Sequence, residues 1–119
     1  MKKILVVDDN REILNVLTIL LETEGYLVKC KSSGSGILET VSRFSPDVVL
    51  LDIMLGNYDG RDICKDIKDN IDTTHIPIIM ISASHQLYQM REKFCKAEEF
   101  ITKPFDLDEL LAKVQQYVG

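Results

Sequence analysis

Long apolar runs are missing from this sequence: no segment approaches the roughly 20 consecutive apolar residues that span a bilayer. The start, MKKILVVDDN, carries a basic pair, but only four apolar residues follow before two acids. That is too short a run for a signal peptide. These two absences predict a cytoplasmic protein that makes no membrane contact. Cysteine is scarce, odd in number and widely spaced (Cys30, Cys64, Cys95), with no CxxC. This pattern fits buried, reduced thiols far better than a disulfide framework or a zinc site. A dense Lys/Arg tract is missing too: 14 basic residues face 19 acidic ones, for a net charge of −5. That balance argues against direct nucleic-acid binding. Neither His75 nor His85 has a partner at metal-ligand spacing. Repeats, low-complexity tracts and linkers are also absent.

What remains is the composition of a folded domain, 45% hydrophobic and 28% charged over 119 residues. That is enough to bury one core without a disulfide or metal staple, so residues 1–119 are expected to form a single domain. Along the chain, strand and helix signals alternate. KILVV (3–7) is a short β-branched run stopped by acids. From Asn10 to Glu24, Ile13, Leu14, Leu17, Leu20 and Leu21 recur at helical spacing, and Gly25 closes the segment. YLVKC (26–30) is a more polar strand suited to a sheet edge. Ile37, Leu38 and Val41 mark a helix that must stop before Pro46. DVVLL (47–51) reads as a strand buried on both faces. Gly60 opens a polar helix carrying Ile63, Cys64 and Ile67. PIIMIS (77–82) is a fourth strand, Leu87, Met90 and Phe94 stripe a fourth helix, and EFIT (99–102) is a fifth strand. Asp106 and Glu109 then form a capping-box pattern ahead of a last apolar face. Five strands alternating with five helices predict an α/β fold, a doubly wound parallel sheet with helices on both faces.

In such folds functional groups gather beyond the carboxyl ends of the strands. Those ends carry Asp8 and Asp9, then Asp52, then Ser82 and Ala83, then Lys103 and Pro104. Each has an ordinary reading alone. Asp8 or Asp9 could cap the helix that follows, Ser82 could belong to a turn, and Lys103 could be a solvated surface residue. Their coincidence at one sheet edge is what those readings leave unexplained. Carboxylates a few Å apart repel by roughly 4 kcal/mol per pair at intermediate dielectric, so they stay ionised together only beside a cation. A hard divalent ion suits an all-oxygen cluster, Mg²⁺ or Mn²⁺ in its place, and Mg²⁺ shares its shell readily with phosphate. Lys103 and Ser82 would meet the remaining phosphoryl oxygens. Asp52, alone after the most buried strand, is the candidate nucleophile. It would form an acyl phosphate, while Asp8 and Asp9 hold the ion.

The motifs ILVVDDN, PDVVLLDIM followed by DG at Asp59 and Gly60, PIIMISA and EFITKPF resemble the receiver domain of bacterial two-component response regulators, of the chemotaxis-regulator type. Each motif is weak alone; in this order and spacing they are specific, and they cover essentially the whole chain. The resemblance implies a flavodoxin-like (βα)5 fold with strand order 2-1-3-4-5. It implies Asp52 as phosphoacceptor and Asp8, Asp9, Asp52 and the backbone carbonyl of Met54 as Mg²⁺ ligands. Ser82, Ala83 and Lys103 stand where the family binds the phosphoryl group, Phe100 where it places a switch aromatic, and the Lys103–Pro104 bond is typically cis. Phe100 could equally be ordinary core packing. The partners implied are a sensor histidine kinase or a histidine phosphotransfer protein, then a downstream effector domain or protein. A homodimer through the face of the fourth helix, fifth strand and fifth helix is implied on phosphorylation. Such a domain is a signalling switch rather than a turnover enzyme, acting by shifting populations between existing states.

Several positions depart from the family pattern. Gly56 stands where proline is common, which predicts a less pre-set loop at the rim of the site. Lys96-Ala97 replaces a common Gly-Ala, so Lys96 would be strained if it ended its helix in a left-handed conformation. Met54 and Ser84 occupy positions that tune phosphoryl lifetime, and an apolar Met54 favours a longer-lived phosphoaspartate. Competing functions fit less well. An aspartyl-nucleophile phosphohydrolase typically needs a DxD pair, whereas Asp8 and Asp9 are adjacent. A phosphorylation-independent interaction module would not need all five strand-end groups. A flavodoxin-type carrier would lead from its first strand into a Ser/Thr/Gly phosphate loop, not DDNRE.

Overall fold

Alternation of side chains along each central strand explains how one sheet serves two cores. In a computed structural model that describes residues 1–83 and 95–119, the strands are β1 (Lys3–Val7), β2 (Leu27–Lys31), β3 (Val48–Asp52), β4 (Met54–Leu55), β5 (Tyr58–Asp59), β6 (Ile78–Ala83) and β7 (Glu99–Lys103). The helices are α1 (Arg11–Thr23), α2 (Ile37–Phe44), α3 (Gly60–Asp69) and α4 (Leu107–Tyr117). β2, β1, β3, β6 and β7 form one parallel sheet in that order. With the short β4 and β5 set aside, this is the expected order 2-1-3-4-5. The expected fourth helix with Leu87, Met90 and Phe94 lies outside the described residues, as do Ser84 and His85.

On one face, Leu5, Val7, Val49, Leu51, Ile78 and Met80 pack with Ile37 and Val41 of α2 and with Ile63, Cys64 and Ile67 of α3. On the other, Ile4, Val6, Val48, Leu50, Ile79 and Ile81 pack with Leu14, Leu17 and Leu21 of α1 and with Leu110 and Val114 of α4. β3 is buried along its whole length, as a central parallel strand should be, whereas β2 is half exposed at the sheet edge.

α1, α3 and α4 start where a side chain can satisfy exposed backbone N–H groups, whereas α2 starts after Gly36 without a side-chain cap. The Asn10 side chain accepts from Glu12 and Ile13 at 2.9 and 3.3 Å, so Asn10, not Asp8 or Asp9, caps α1. The Asp106 carboxylate accepts from Asp108 N–H at 2.8 Å and caps α4. α2 stops at Ser45, which takes the left-handed conformation (φ 52°, ψ 59°) just before Pro46. Ser45 is the only non-glycine residue with positive φ among the described residues, so Lys96 does not take the left-handed conformation that would strain it. At the far end of α3 the Lys68 ammonium is buried, its side chain 7% exposed. It donates to the carbonyls of Thr74 and Ile76 and pairs with Glu98 at 2.5 Å. Glu98 in turn accepts from Ile78 N–H, tying α3 to the starts of β6 and β7. Among the described residues no helix is long and apolar enough to cross a membrane.

Candidate functional site

The parallel register brings the sequence-predicted residues to one edge of the sheet. Val7 of β1 pairs with Leu51 of β3, Asp52 with Ile81 of β6, and Ala83 with Lys103 of β7. Asp8 and Asp9 follow β1 directly, and Ser82 and Lys103 lie at the ends of their strands. Carboxylate oxygens of Asp8, Asp9 and Asp52 lie within 4.8 Å of one another. Asp8 and Asp52 are buried, 1% and 5% exposed, while Asp9 faces solvent. One Asp8 oxygen accepts from Asn10 N–H at 2.9 Å, which fixes its direction.

Lys103 bridges the cluster. Its Nζ donates to Asp8 Oδ2 at 3.1 Å and to Asp52 Oδ2 at 3.2 Å. Burial opposes the charge on Lys103, but the attraction of Asp52 and Asp8 together holds the ammonium above the ordinary lysine range. Asp52 moves the other way from a typical surface acid. Burial first, and the Asp8 charge second, push its carboxyl up to about 6; Lys103 and the Met54 N–H oppose this without cancelling it. One ammonium against three carboxylates leaves an excess of negative charge in a poorly solvated place. The donor set is all oxygen and anionic, which fits a hard divalent cation.

Ser82 adds an independent sign of an oxygen-rich ligand. It is 1% exposed and its Oγ has no hydrogen-bond partner. An unsatisfied buried hydroxyl costs about 1–3 kcal/mol, so native structures keep one mainly where something else meets it. The Lys103–Pro104 peptide bond is cis. Phe100, also on β7, is 40% exposed and so does not pack in the core.

The loop after Asp52 is more ordered than the sequence suggests. β4 and β5 pair antiparallel, Met54 opposite Asp59 and Leu55 opposite Tyr58, leaving Gly56-Asn57 as a two-residue hairpin loop. Gly56 has φ 64°, the positive value that primed hairpin turns require at their first position. The glycine therefore closes a turn rather than loosening an open rim. Gly60, noted in the sequence as part of the DG motif and as the start of a polar helix, has a sharper role. A Cβ there would lie 2.1 Å from the carbonyl oxygen of Asp52 and 2.9 Å from Ile53 Cα. The start of α3 thus packs directly on the backbone that carries Asp52. Asp59 caps that helix, accepting from Arg61 N–H and from the Arg61 guanidinium at 2.9 Å each.

The thiols divide. Cys64 and Cys95 are buried as expected, but Cys30 is exposed on the edge strand β2. A cavity of about 560 Å³ lies at the opposite edge of the sheet, lined by Ser45, Asp47, His75, Pro77 and Tyr117 among others, and includes none of the strand-end acids.

Comparison with known proteins agrees with this arrangement. The family profile described as the response regulator receiver domain matches residues 4–115. Among solved structures, the receiver domain of a sensor histidine kinase from Pseudomonas aeruginosa PAO1, which has a magnesium ion coordinated in its active-site cleft, is 28% identical. It superposes with a TM-score of 0.88 over 99% of this chain and 98% of that one. A response regulator receiver domain protein from Clostridium thermocellum is 30% identical, with a TM-score of 0.84 over 99% and 94% of the two chains. The signal receiver domain of a signal transduction histidine kinase from Syntrophus aciditrophicus is 26% identical, with a TM-score of 0.90 over 99% and 90%.

Proposed function

The chain belongs to the response regulator receiver family of two-component signalling, and from that premise we propose that it is a phosphorylation-driven switch whose phosphoacceptor is Asp52. The observation that carries the reading is the bridge from Lys103 Nζ to both Asp8 and Asp52, beside a buried Ser82 hydroxyl with no partner. On this reading residues 1–119 act as one receiver domain.

An Asp52 carboxylate oxygen attacks the phosphorus of a phosphohistidine on a sensor kinase or a histidine phosphotransfer protein. The P–N bond breaks, and an acyl phosphate forms on Asp52. With a carboxyl near 6, Asp52 is about 90% ionised at pH 7, so the nucleophile is available without a separate base. Asp8, Asp9 and Asp52, with the Met54 carbonyl, would hold Mg²⁺, or Mn²⁺ in its place, which supplies positive charge to offset the carboxylates and phosphoryl oxygens. Lys103 keeps its ammonium beside the reacting oxygens and follows the new charge. The Ser82 hydroxyl donates to a phosphoryl oxygen, and the Ala83 backbone travels with it. Phe100 then turns from its exposed position into the space that Ser82 vacates.

The output face is that of the segment before β7, β7 itself and α4. Its altered shape would control an effector domain or protein, or bring two copies together. A small acyl phosphate donor tests the central claim. With Mg²⁺ it should add about 80 Da to the intact chain, and the addition should be lost in Asp52→Asn. No addition from any donor, or undiminished addition to the variant, would sink the reading.

A further inference from the structure

We propose that the open edge of β2, together with the basic groove between β2 and α2, docks an extended acidic segment of a partner protein by strand addition. β2 is the outermost strand of the sheet, on the far side from β7, and its one neighbour is β1. Leu27 N–H donates to the Lys2 carbonyl at 2.9 Å, and the Lys31 carbonyl accepts from Asp8 N–H at 3.1 Å. Leu27, Lys29 and Lys31 therefore direct their backbone groups toward β1, and in a parallel ladder the intervening residues point the other way. The N–H and C=O groups of Val28 and Cys30 are thus turned outward, where no strand lies among the described residues.

The side chains of β2 alternate between two surroundings. Val28 packs against the cluster that holds Leu14, Leu17 and Leu21 of α1, and Cys30 Sγ lies 3.0 Å from Thr18 Oγ1 of that helix. Lys29 and Lys31 face the other way, into a groove of about 420 Å³ shared with Glu39, Arg43 and Phe44 of α2. Lys29 Nζ lies 5.9 Å from the centre of the Phe44 ring, which keeps its charge on the groove wall. Neither lysine pairs with a carboxylate among the described residues. Arg43 pairs with Glu39 at 2.8 Å, but both side chains are largely in solvent, and a surface pair of that kind is weak enough to exchange partners. Three cations against one carboxylate make the groove locally basic on a chain whose net charge is −5.

The open edge and the basic groove select the same partner. An added strand meets the outward N–H and C=O groups of Val28 and Cys30, and these main-chain hydrogen bonds carry no sequence preference. Its side chains alternate, so every second one lies beside Lys29, Lys31 and Arg43, where carboxylates are attracted and ammoniums repelled. Lysines on an edge strand ordinarily discourage pairing, and against a neutral or basic strand these do so. An acidic strand reverses the sign, and the same residues then set specificity. A second copy of this chain fits poorly, because pairing β2 with β2 would place one lysine row beside another.

The test titrates the whole chain into a fluorescein-labelled peptide of about nine residues, alternating glutamate and valine, and follows anisotropy. Binding should weaken about tenfold or more when Lys29→Glu and Lys31→Glu are combined, and also on raising salt from about 0.05 M to about 0.5 M. Glu39→Gln removes the carboxylate of the groove and should tighten binding about two- to threefold, a gain that a misfolded variant would not produce. Amide hydrogen exchange at Val28 and Cys30 should slow when the peptide is bound. The proposal is overturned if the peptide does not bind at millimolar concentration, or if a lysine–valine peptide binds as tightly. It is equally overturned if the glutamate peptide binds as well when N-methylated at every second amide in either register, which would mark a general polyanion site. Binding that leaves the Val28 and Cys30 amides unprotected, or a chain that dimerises through β2 without peptide, would overturn it too.

Discussion

Replacing Asp52 with Asn is expected to stabilise the fold at neutral pH and to leave it nearly unchanged near pH 4. The Asp52 carboxyl is raised from 3.8 to about 6 by burial and by Asp8. Between those values the folded chain binds a proton that the unfolded chain releases. Stability is therefore highest where Asp52 is protonated and falls as pH rises through the window from about 4 to about 6. Each tenfold change in a proton equilibrium is about 1.4 kcal/mol, so the full loss is on the order of 3 kcal/mol. Asn has nearly the same shape as a protonated Asp and does not titrate. The stability difference between variant and wild type should thus be near zero at pH 4 and reach about 2–3 kcal/mol by pH 7, or roughly 10 °C in Tm for a domain of this size. Titrations common to both proteins cancel in that difference. Urea unfolding followed by circular dichroism, in metal-free buffer of constant ionic strength from about pH 4 to 8, measures it. Saturating Mg²⁺ should then narrow the gap at pH 7, because only the wild type retains all three carboxylates. A difference that does not change with pH, or a variant less stable than wild type at pH 7, would refute the argument that Asp52 is held ionised against its surroundings.

Gly60→Ala should lower the unfolding free energy by about 3 kcal/mol, since the new methyl meets Asp52 and Ile53 backbone that cannot move aside. Urea unfolding reads the loss, and slower phosphoryl addition should accompany it as Asp52 is displaced. Ser45→Gly relieves a left-handed serine and should raise stability by about 1 kcal/mol, visible as a higher Tm. Lys68→Met strands the Glu98 carboxylate and two carbonyls that Lys68 now satisfies. A loss of about 3 kcal/mol is expected, partly recovered in a double variant with Glu98→Gln; a double-mutant cycle in urea checks the coupling.

What the sequence makes legible follows from period and punctuation. A buried parallel strand such as VVLLD reads as an unbroken apolar run, and its end is marked by the first charge. Because every strand of the sheet runs the same way, the groups after those runs are bound to meet, which is why Asp8, Asp9, Asp52, Ser82 and Lys103 could be grouped before any coordinates. The β4–β5 hairpin escapes the same reading because two-residue strands have no period, and Gly56 alone does not tell a tight turn from an open loop. Lys68–Glu98 is a tertiary pair between α3 and the approach to β7, and no local pattern announces a partner 30 residues away. Cys30 was expected to be buried on composition, but an edge strand leaves alternate side chains in solvent, and β2 is such a strand.

The same imbalance that makes Asp52 costly gives the proposed switch its direction. Before phosphorylation Asp52 shares one ammonium with Asp8. The phosphoryl group raises the charge there from about −1 to nearly −2, in surroundings already poor enough in water to hold the carboxyl near 6. The added charge must be met by groups within reach, and the described residues offer two on the adjoining strands: the Lys103 ammonium and the Ser82 hydroxyl. Both lie at the ends of β6 and β7, on one side of the central β3 that carries Asp52, while Asp8 follows β1 on the other side. Movement toward the phosphoryl group is therefore expected from the β6–β7 side, which carries both groups able to meet the added charge. On the proposed reading the response runs outward to Phe100 rather than back into the two cores.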